Sequence, residues 1–325
     1  MLKYFILLLL ILSDLLICLN IDDFGAKPND NSFDAAVING KAIFNAINAA
    51  NNGSDRTVVI DGKGGKVYTM VPAGYIVDLV NVTIQFDGRI NAWDGDKSKW
   101  PQSENGNSIP MFSITNTQNM IIRGNGVVDG FGYSWWWDVI LGGHDNRPRM
   151  FAISSGINTL IDGISLFNSP QFHMSFYNQI NSTVQNVRVH VNITDDEVSF
   201  LKWLPTFPLN TDGIDISGKN IHLRNLTIQN FDDAVAVKPL KAFDDPYTNC
   251  TEDIIVEDSF VKYGVGMSIG SVPPDTNFEC VRNVTFRNIK FDKPLKAIYV
   301  KPNPGNLGLG IIKNVTYENI GKISL

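Results

Sequence analysis

"NIHLRNLTIQN", residues 220–230, is two short alternating runs around a central asparagine. Ile221 and Leu223 fall on one side of the first run, and Leu226 and Ile228 on one side of the second. A period of two is a strand signal, and the asparagine between the runs marks a turn. The same design recurs as "NMIIRG" from 119, "NTLIDGISLFN" from 158 and "NSTVQNVRVHV" from 181. It continues as "DIIVEDSFV" from 253, "NVTFRNIKF" from 283 and "NVTYENI" from 314. Successive starts are separated by 39, 23, 39, 33, 30 and 31 residues. Short strands returning at such intervals, with turn residues and no sustained helical period between them, predict an all-β fold. The architecture expected is a single-stranded right-handed parallel β-helix, one coil per repeat, with loops in the longer intervals. A propeller would need about four strands per 40–50 residues, and the Leu and Asn spacing of a leucine-rich repeat is absent.

The two ends differ. "NIDDFGAKPNDNSFDAAVINGKAIFNAINAANNG", 20–53, predicts a short N-terminal capping helix with Ile43, Phe44 and Ile47 on one side. At the other end, Val315, Tyr317 and Ile320 are expected to lie on a last coil with no cap. Lys3 followed by a largely apolar run over 5–13 reads as a leader of signal-peptide length. Residues 1–20 are therefore assigned to the leader and 21–325 to the β-helix domain. The expectation is a secreted monomer that stays off the membrane once the leader is removed. The net charge of −6 argues against a nucleic-acid partner. Asn52, Asn81, Asn181, Asn192, Asn225, Asn249, Asn283 and Asn314 head glycosylation sequons, although Asn181, Asn283 and Asn314 also open a repeat, where a ladder role serves equally well.

In a β-helix, residues one coil apart stack about 4.8 Å from each other. Asp212 lies 21 residues before Asp233, Val265 follows 32 residues later and Tyr299 another 34. Each step is about one coil, which puts Asp212 and Asp215 on one coil, Asp232 and Asp233 on the next, and Lys301 two further on. Adjacent carboxylates can share a cleft only where strand alternation fails. "FDD" is therefore read as a bend, with the strand beginning at Ala234. Converging carboxylates suit glycoside hydrolysis, in which one protonates the leaving oxygen while others activate water. Burial and mutual repulsion would separate their pKa values. A calcium site is the alternative for such a cluster.

Four motifs in order, "NTDGID", "DDAVAVK", "GVGMSIGS" and "YVK", together with "DFGAK" and "NSPQFH", resemble glycosyl hydrolase family 28, the polygalacturonases. The resemblance runs from about residue 21 to the end. It implies a pectin-backbone hydrolase that inverts configuration and uses no metal or other cofactor, with pectic polysaccharide as its substrate. By position, Asp232 matches the general acid, Asp212 and Asp233 the pair holding the attacking water, and Lys301 a lysine binding a substrate carboxylate. Two positions depart: Val265 stands where the family has histidine, and Tyr299 where it has arginine. Lys238 and Lys301 still supply positive charge beside them. A rhamnogalacturonan hydrolase, a calcium-dependent lyase and a non-catalytic pectin-binding relative remain open. An inverting pair would be roughly 6.5–9.5 Å apart.

Trp135, Trp136 and Trp137 could line a sugar subsite or anchor a loop, and His173 reads as a core histidine in preference to a cleft residue. Cys250 and Cys280 each precede a repeat start by three residues, so they occupy equivalent places on adjacent coils and are expected to form a disulfide.

Overall fold

The computed structural model describes residues 18–143, 145–193, 208–240, 250–274 and 278–322. Most of the expected leader, and the sequon at Asn249, lie outside the described residues. The rest is a parallel β-helix. One interior column runs through every coil from Val58 to Ile84, Ile122, Ile161, Val184, Leu223, Val256, Phe286 and Tyr317, each paired in parallel with the next. From Ile122 onward, the steps in this column are the intervals read from the repeats. All of it except Tyr317 is buried in one continuous apolar core, and each such side chain contributes about 1.5–3 kcal/mol relative to exposure. Stacking like on like is what one apolar position per repeat produces.

The repeat-opening asparagines explain how a coil turns its corner. Asn119, Asn158, Asn181, Asn220, Asp253, Asn283 and Asn314 all have left-handed φ, between 52° and 57°, a region that short polar side chains tolerate better than others. Their amides then bond from coil to coil. Asn158 Nδ2 donates to Asn119 Oδ1 (2.9 Å), Asn220 to Asn181 (2.9 Å), Asn283 to Asp253 (3.0 Å) and Asn314 to Asn283 (3.0 Å). A second ladder runs through the mid-repeat turns, where Asn186 donates to Asp162 (2.6 Å), Asn225 to Asn186 (2.6 Å) and Asn288 to Asp258 (2.9 Å).

The capping helix is longer than expected. It spans Phe33–Asn52, 20 residues, with Ser32 Oγ accepting the Ala35 amide at its start. Ile43 and Ile47 are buried and Phe44 is half-buried against the first coils. A second helix, Tyr133–Ile140, sits in a loop where no helix was expected. Cys250 and Cys280 are disulfide-bonded with their Cα atoms 4.5 Å apart, next to the Thr251–Val281 pair that joins their coils. On the last coil Val315, Tyr317 and Ile320 are half-buried, while Ile311 and Ile312 are each 42% exposed. Among the described residues no helix is long and apolar enough to cross a membrane.

Candidate active site

Four short strands on successive coils build one wall. Ile214, Val235, Met267 and Ile298 are stacked in register, as are Asp215, Ala236, Ser268 and Tyr299. Asp212 precedes the first of these strands, and Asp233 opens the second, Asp233–Val237. The bend thus falls at Phe231–Asp232, one residue earlier than expected, and a register irregularity between Asp233 and Val235 completes it. Tyr299 stacks on Ser268 rather than in line with Val265. Val265 lies in the turn before its strand, where its N–H donates to Asp232 O (2.8 Å). Equal counting across coils fails there because turn residues are not in the ladder.

One carboxylate oxygen from each of Asp212, Asp232 and Asp233 lies within 4.8 Å of the others. This is closer than the roughly 6.5–9.5 Å expected of an inverting pair, because two of the three are adjacent and the third is a single coil away. Their surroundings differ. Asp212 is 3% exposed and Asp233 is 0% exposed, whereas Asp232 is only half-buried. Asp232 Oδ2 accepts the Asn210 amide (2.9 Å) and its Oδ1 the Asp233 amide (2.9 Å). Asp233 Oδ1 accepts Ser268 Oγ (2.5 Å), and its Oδ2 is held by the Lys301 ammonium. Lys301, expected to bind substrate, is therefore engaged with a site carboxylate.

Behind these, fully buried Asp215 accepts from Tyr177 Oη (3.1 Å) and Lys238 Nζ (3.2 Å), both at Oδ2. Lys238 is thus first a counter-ion of Asp215, with part of its side chain open to a cleft lined by Ser154, Tyr177 and Ser217. Burial raises Asp212 well above the usual carboxylate range, and the charges of Asp215, Asp232 and Asp233 raise it further. Burial also raises Asp215, against the pull of Lys238. Asp212 Oδ1 and Asp215 Oδ1 are buried without a hydrogen-bond partner, which favours the protonated form in the same direction. Burial works against the Lys238 charge, but Asp215, Asp212 and Asp233 outweigh it and raise its pKa. Tyr177 is pushed well up by burial and then by Asp215, so it remains a donor.

The three clustered carboxylates could in principle approach a divalent cation. They fit one poorly, because both oxygens of Asp233 are already engaged, one of them by the Lys301 ammonium.

His173 is a core histidine. Its Nε2 accepts the Ser169 amide (3.2 Å), leaving the Nδ1 proton for Asp212 O (3.0 Å), and burial lowers its pKa to about 4. Trp135 and Trp136 are buried, Trp136 donating its indole N–H to Ser169 O (3.0 Å). Trp136 and half-buried Trp137 pack the Tyr133–Ile140 helix toward Phe231, the neighbour of Asp232, while Trp135 joins the main core. The Tyr299 ring carries the Lys296 ammonium 3.5 Å from its centroid and that of Lys301 at 5.8 Å. Asn210 and Ser268 lie inside the recognised motifs, but as neutral polar residues they carry no signal apart from the carboxylates they hold. Tyr177 and Arg147 carry no local sequence signal, since only the coiling brings them here.

The fold and the carboxylate cluster together define a β-helical protein of the glycosidase type. The sequence profile of glycosyl hydrolases family 28 matches residues 59–323, and the chain belongs to that family. It is 30% identical to a polygalacturonase of Cryptomeria japonica over 74% of this chain and 43% of that protein. It is 27% identical over 80% of its length to an alpha-L-rhamnosidase of Aspergillus niger, covering 61% of the latter. The chain spans under half the length of several curated relatives it matches. Among solved structures, the polygalacturonase of Erwinia carotovora superposes with a TM-score of 0.69 at 25% identity, covering 87% of this chain and 73% of the other.

Proposed function

We propose that this chain is a secreted, monomeric hydrolase of pectic polysaccharide, of polygalacturonase type. The observation that carries this reading is the division of one tight carboxylate cluster into a single open member, Asp232, and two walled-in members, Asp212 and Asp233. An acid that hands its proton to a glycosidic oxygen must reach the substrate, which suits Asp232. Carboxylates that are 0% and 3% exposed cannot be met by a pyranose carbon. Asp212 and Asp233 therefore serve water rather than a covalent intermediate. In the step, Asp232 protonates the leaving oxygen as the glycosidic bond breaks. Water attacks the anomeric carbon from the other side and gives its proton to the Asp212–Asp233 pair. Lys301, Lys238 and the Tyr299 edge of the cleft supply the positive and aromatic surroundings that suit a uronate chain, and Val265 lines the turn beside Asp232.

A rhamnogalacturonan substrate is the second reading, favoured by Val265 and Tyr299 at the positions where the family carries histidine and arginine. Polygalacturonate and rhamnogalacturonan, each with and without chelator, separate these readings. Chelator-insensitive cleavage of polygalacturonate without unsaturated products is expected. Cleavage of rhamnogalacturonan alone shifts the assignment to the second reading, and calcium-dependent unsaturated products would overturn both.

A further inference from the structure

Arg147 lies outside the carboxylate cluster, yet its buried guanidinium uses all five of its N–H groups. Nε and Nη2 donate to Asp145 Oδ1 (2.8 Å) and Oδ2 (2.9 Å), a bidentate pair. Nη1 donates to Leu209 O (2.7 Å) and Pro170 O (3.2 Å), and Nη2 also donates to Asn210 Oδ1 (3.1 Å). The side chain is 2% exposed. One rigid fork thus ties three separate segments together, a task that a point-charge ammonium cannot copy.

What it holds matters. Asn210 has a left-handed φ of 56°, and Arg147 grips it on the preceding carbonyl and on its own side chain. Between those two grips is the Asn210 N–H, which donates to Asp232 Oδ2 (2.9 Å). The other Asp232 oxygen is fixed by its own neighbour, the Asp233 amide. Among the described residues, two backbone donors set the plane of Asp232, and of these only Asn210 comes from outside its own turn.

We propose that Arg147 is a positioning residue for Asp232: through Leu209 and Asn210 it fixes the direction in which that carboxyl faces the leaving oxygen. This rests on the reading of Asp232 as general acid. It also gives the Asp145–Arg147 pair a function beyond loop stability, because Asp145 orients the guanidinium.

The test compares substrates that differ in their need for a proton. Arg147→Met is expected to lower kcat on the pectic polymer by about 10- to 100-fold, the scale of a small misplacement of a reacting group, with KM within about two-fold. Hydrolysis of para-nitrophenyl α-galacturonide, whose leaving group departs with little acid assistance, should fall by less than about three-fold. Asn210→Gly tolerates the left-handed backbone and keeps the N–H while losing one grip, so it should show the same pattern more weakly. It also covers the case in which Arg147→Met fails to fold. Arg147→Lys should not restore the rate. Equal losses on both substrates, or no loss on the polymer, would overturn the proposal. Crystal structures of parent and variant supply a readout free of activity: the Asn210 N to Asp232 Oδ2 contact should lengthen beyond hydrogen-bonding distance in Arg147→Met. If it lengthens while the parent cleaves no pectic polymer, the positioning stands and the general-acid reading falls. An unchanged contact sinks the positioning itself.

Discussion

Asp232 and Asp233 are neighbours in the chain with opposite environments: one is half-open and held by two amides, the other sealed between Ser268 and Lys301. Asp232→Asn keeps one of the two acceptor contacts, at its carbonyl oxygen, sets its NH2 against the other backbone N–H, and removes the transferable proton. The expected result is a loss of about two to four orders of magnitude in kcat, with a stability cost of about 1–3 kcal/mol for the N–H left without an acceptor. Steady-state kinetics and thermal melts of the same preparation check both halves. A variant with parental turnover would remove Asp232 from the acid role. The anomer first released is a separate matter. The walled-in position of Asp212 and Asp233 predicts inversion, read by proton NMR in the first minutes of reaction. Retention would mean that the short carboxylate spacing, which by general rule belongs to retaining enzymes, is the better guide. At this scale the sequence was readable where chemistry is local. The acidic trio and Lys301 stood in quoted motifs, but Tyr177 and Arg147 reach the site only through coiling. Counting lines Tyr299 up with Val265, three residues from its true partner Ser268, because Val265 sits in a turn that residue counting treats as strand.

Turns made the repeat visible, and they also carry much of its specificity. Asn283 receives from Asn314, donates to Asp253 and holds a φ of 54°. Asn283→Ala loses two exposed hydrogen bonds and forces a Cβ-bearing residue without a polar end into the left-handed region. The expected cost is about 1–3 kcal/mol. Asn283→Gly loses the same bonds without the backbone penalty and should cost about 1 kcal/mol less. Chemical denaturation of the pair measures that gap. If alanine and glycine are equally harmful, the conformation of the turn is not what asparagine supplies. The ladder also explains why five sequons, at 81, 181, 225, 283 and 314, coincide with residues of left-handed φ. The "NVT" and "NLT" strings are first a turn followed by a strand. Elements with a period of their own were harder to see. "YSWWWDVI" is a single amphipathic excursion of eight residues, too short for a helical period to stand out, and its tryptophans suggested sugar contacts as readily as packing.

Across the whole molecule the interior column was legible because a β-helix repeats one decision, and a disulfide between equivalent positions follows from the same register. The buried charges could not be read that way, since burial depends on what the loops cover. They set how stability varies with pH. His173 has its pKa lowered from 6.5 to about 4, mainly by burial. Between those values the unfolded chain binds more protons than the folded one, so this group makes stability rise with pH up to about 6.5. Asp212 and Asp215 act in the opposite sense. Their folded pKa values are raised from 3.8 by burial, so their contribution is fully present below that value and is lost as pH climbs through the raised one. Where all three titrate, the two carboxylates outweigh the one histidine, so together they make stability fall as pH rises above about 4. Asp212→Asn separates the two effects, because an amide pays no ionisation penalty. Its Tm relative to the parent should be lowest under acid conditions and improve steadily as pH rises, the acid limb from His173 remaining in both proteins. A difference in Tm that stays constant from acid to neutral pH would mean that Asp212 ionises in the folded protein as readily as in the unfolded chain, and that its burial between Asp215 and Asp233 does not hold a proton.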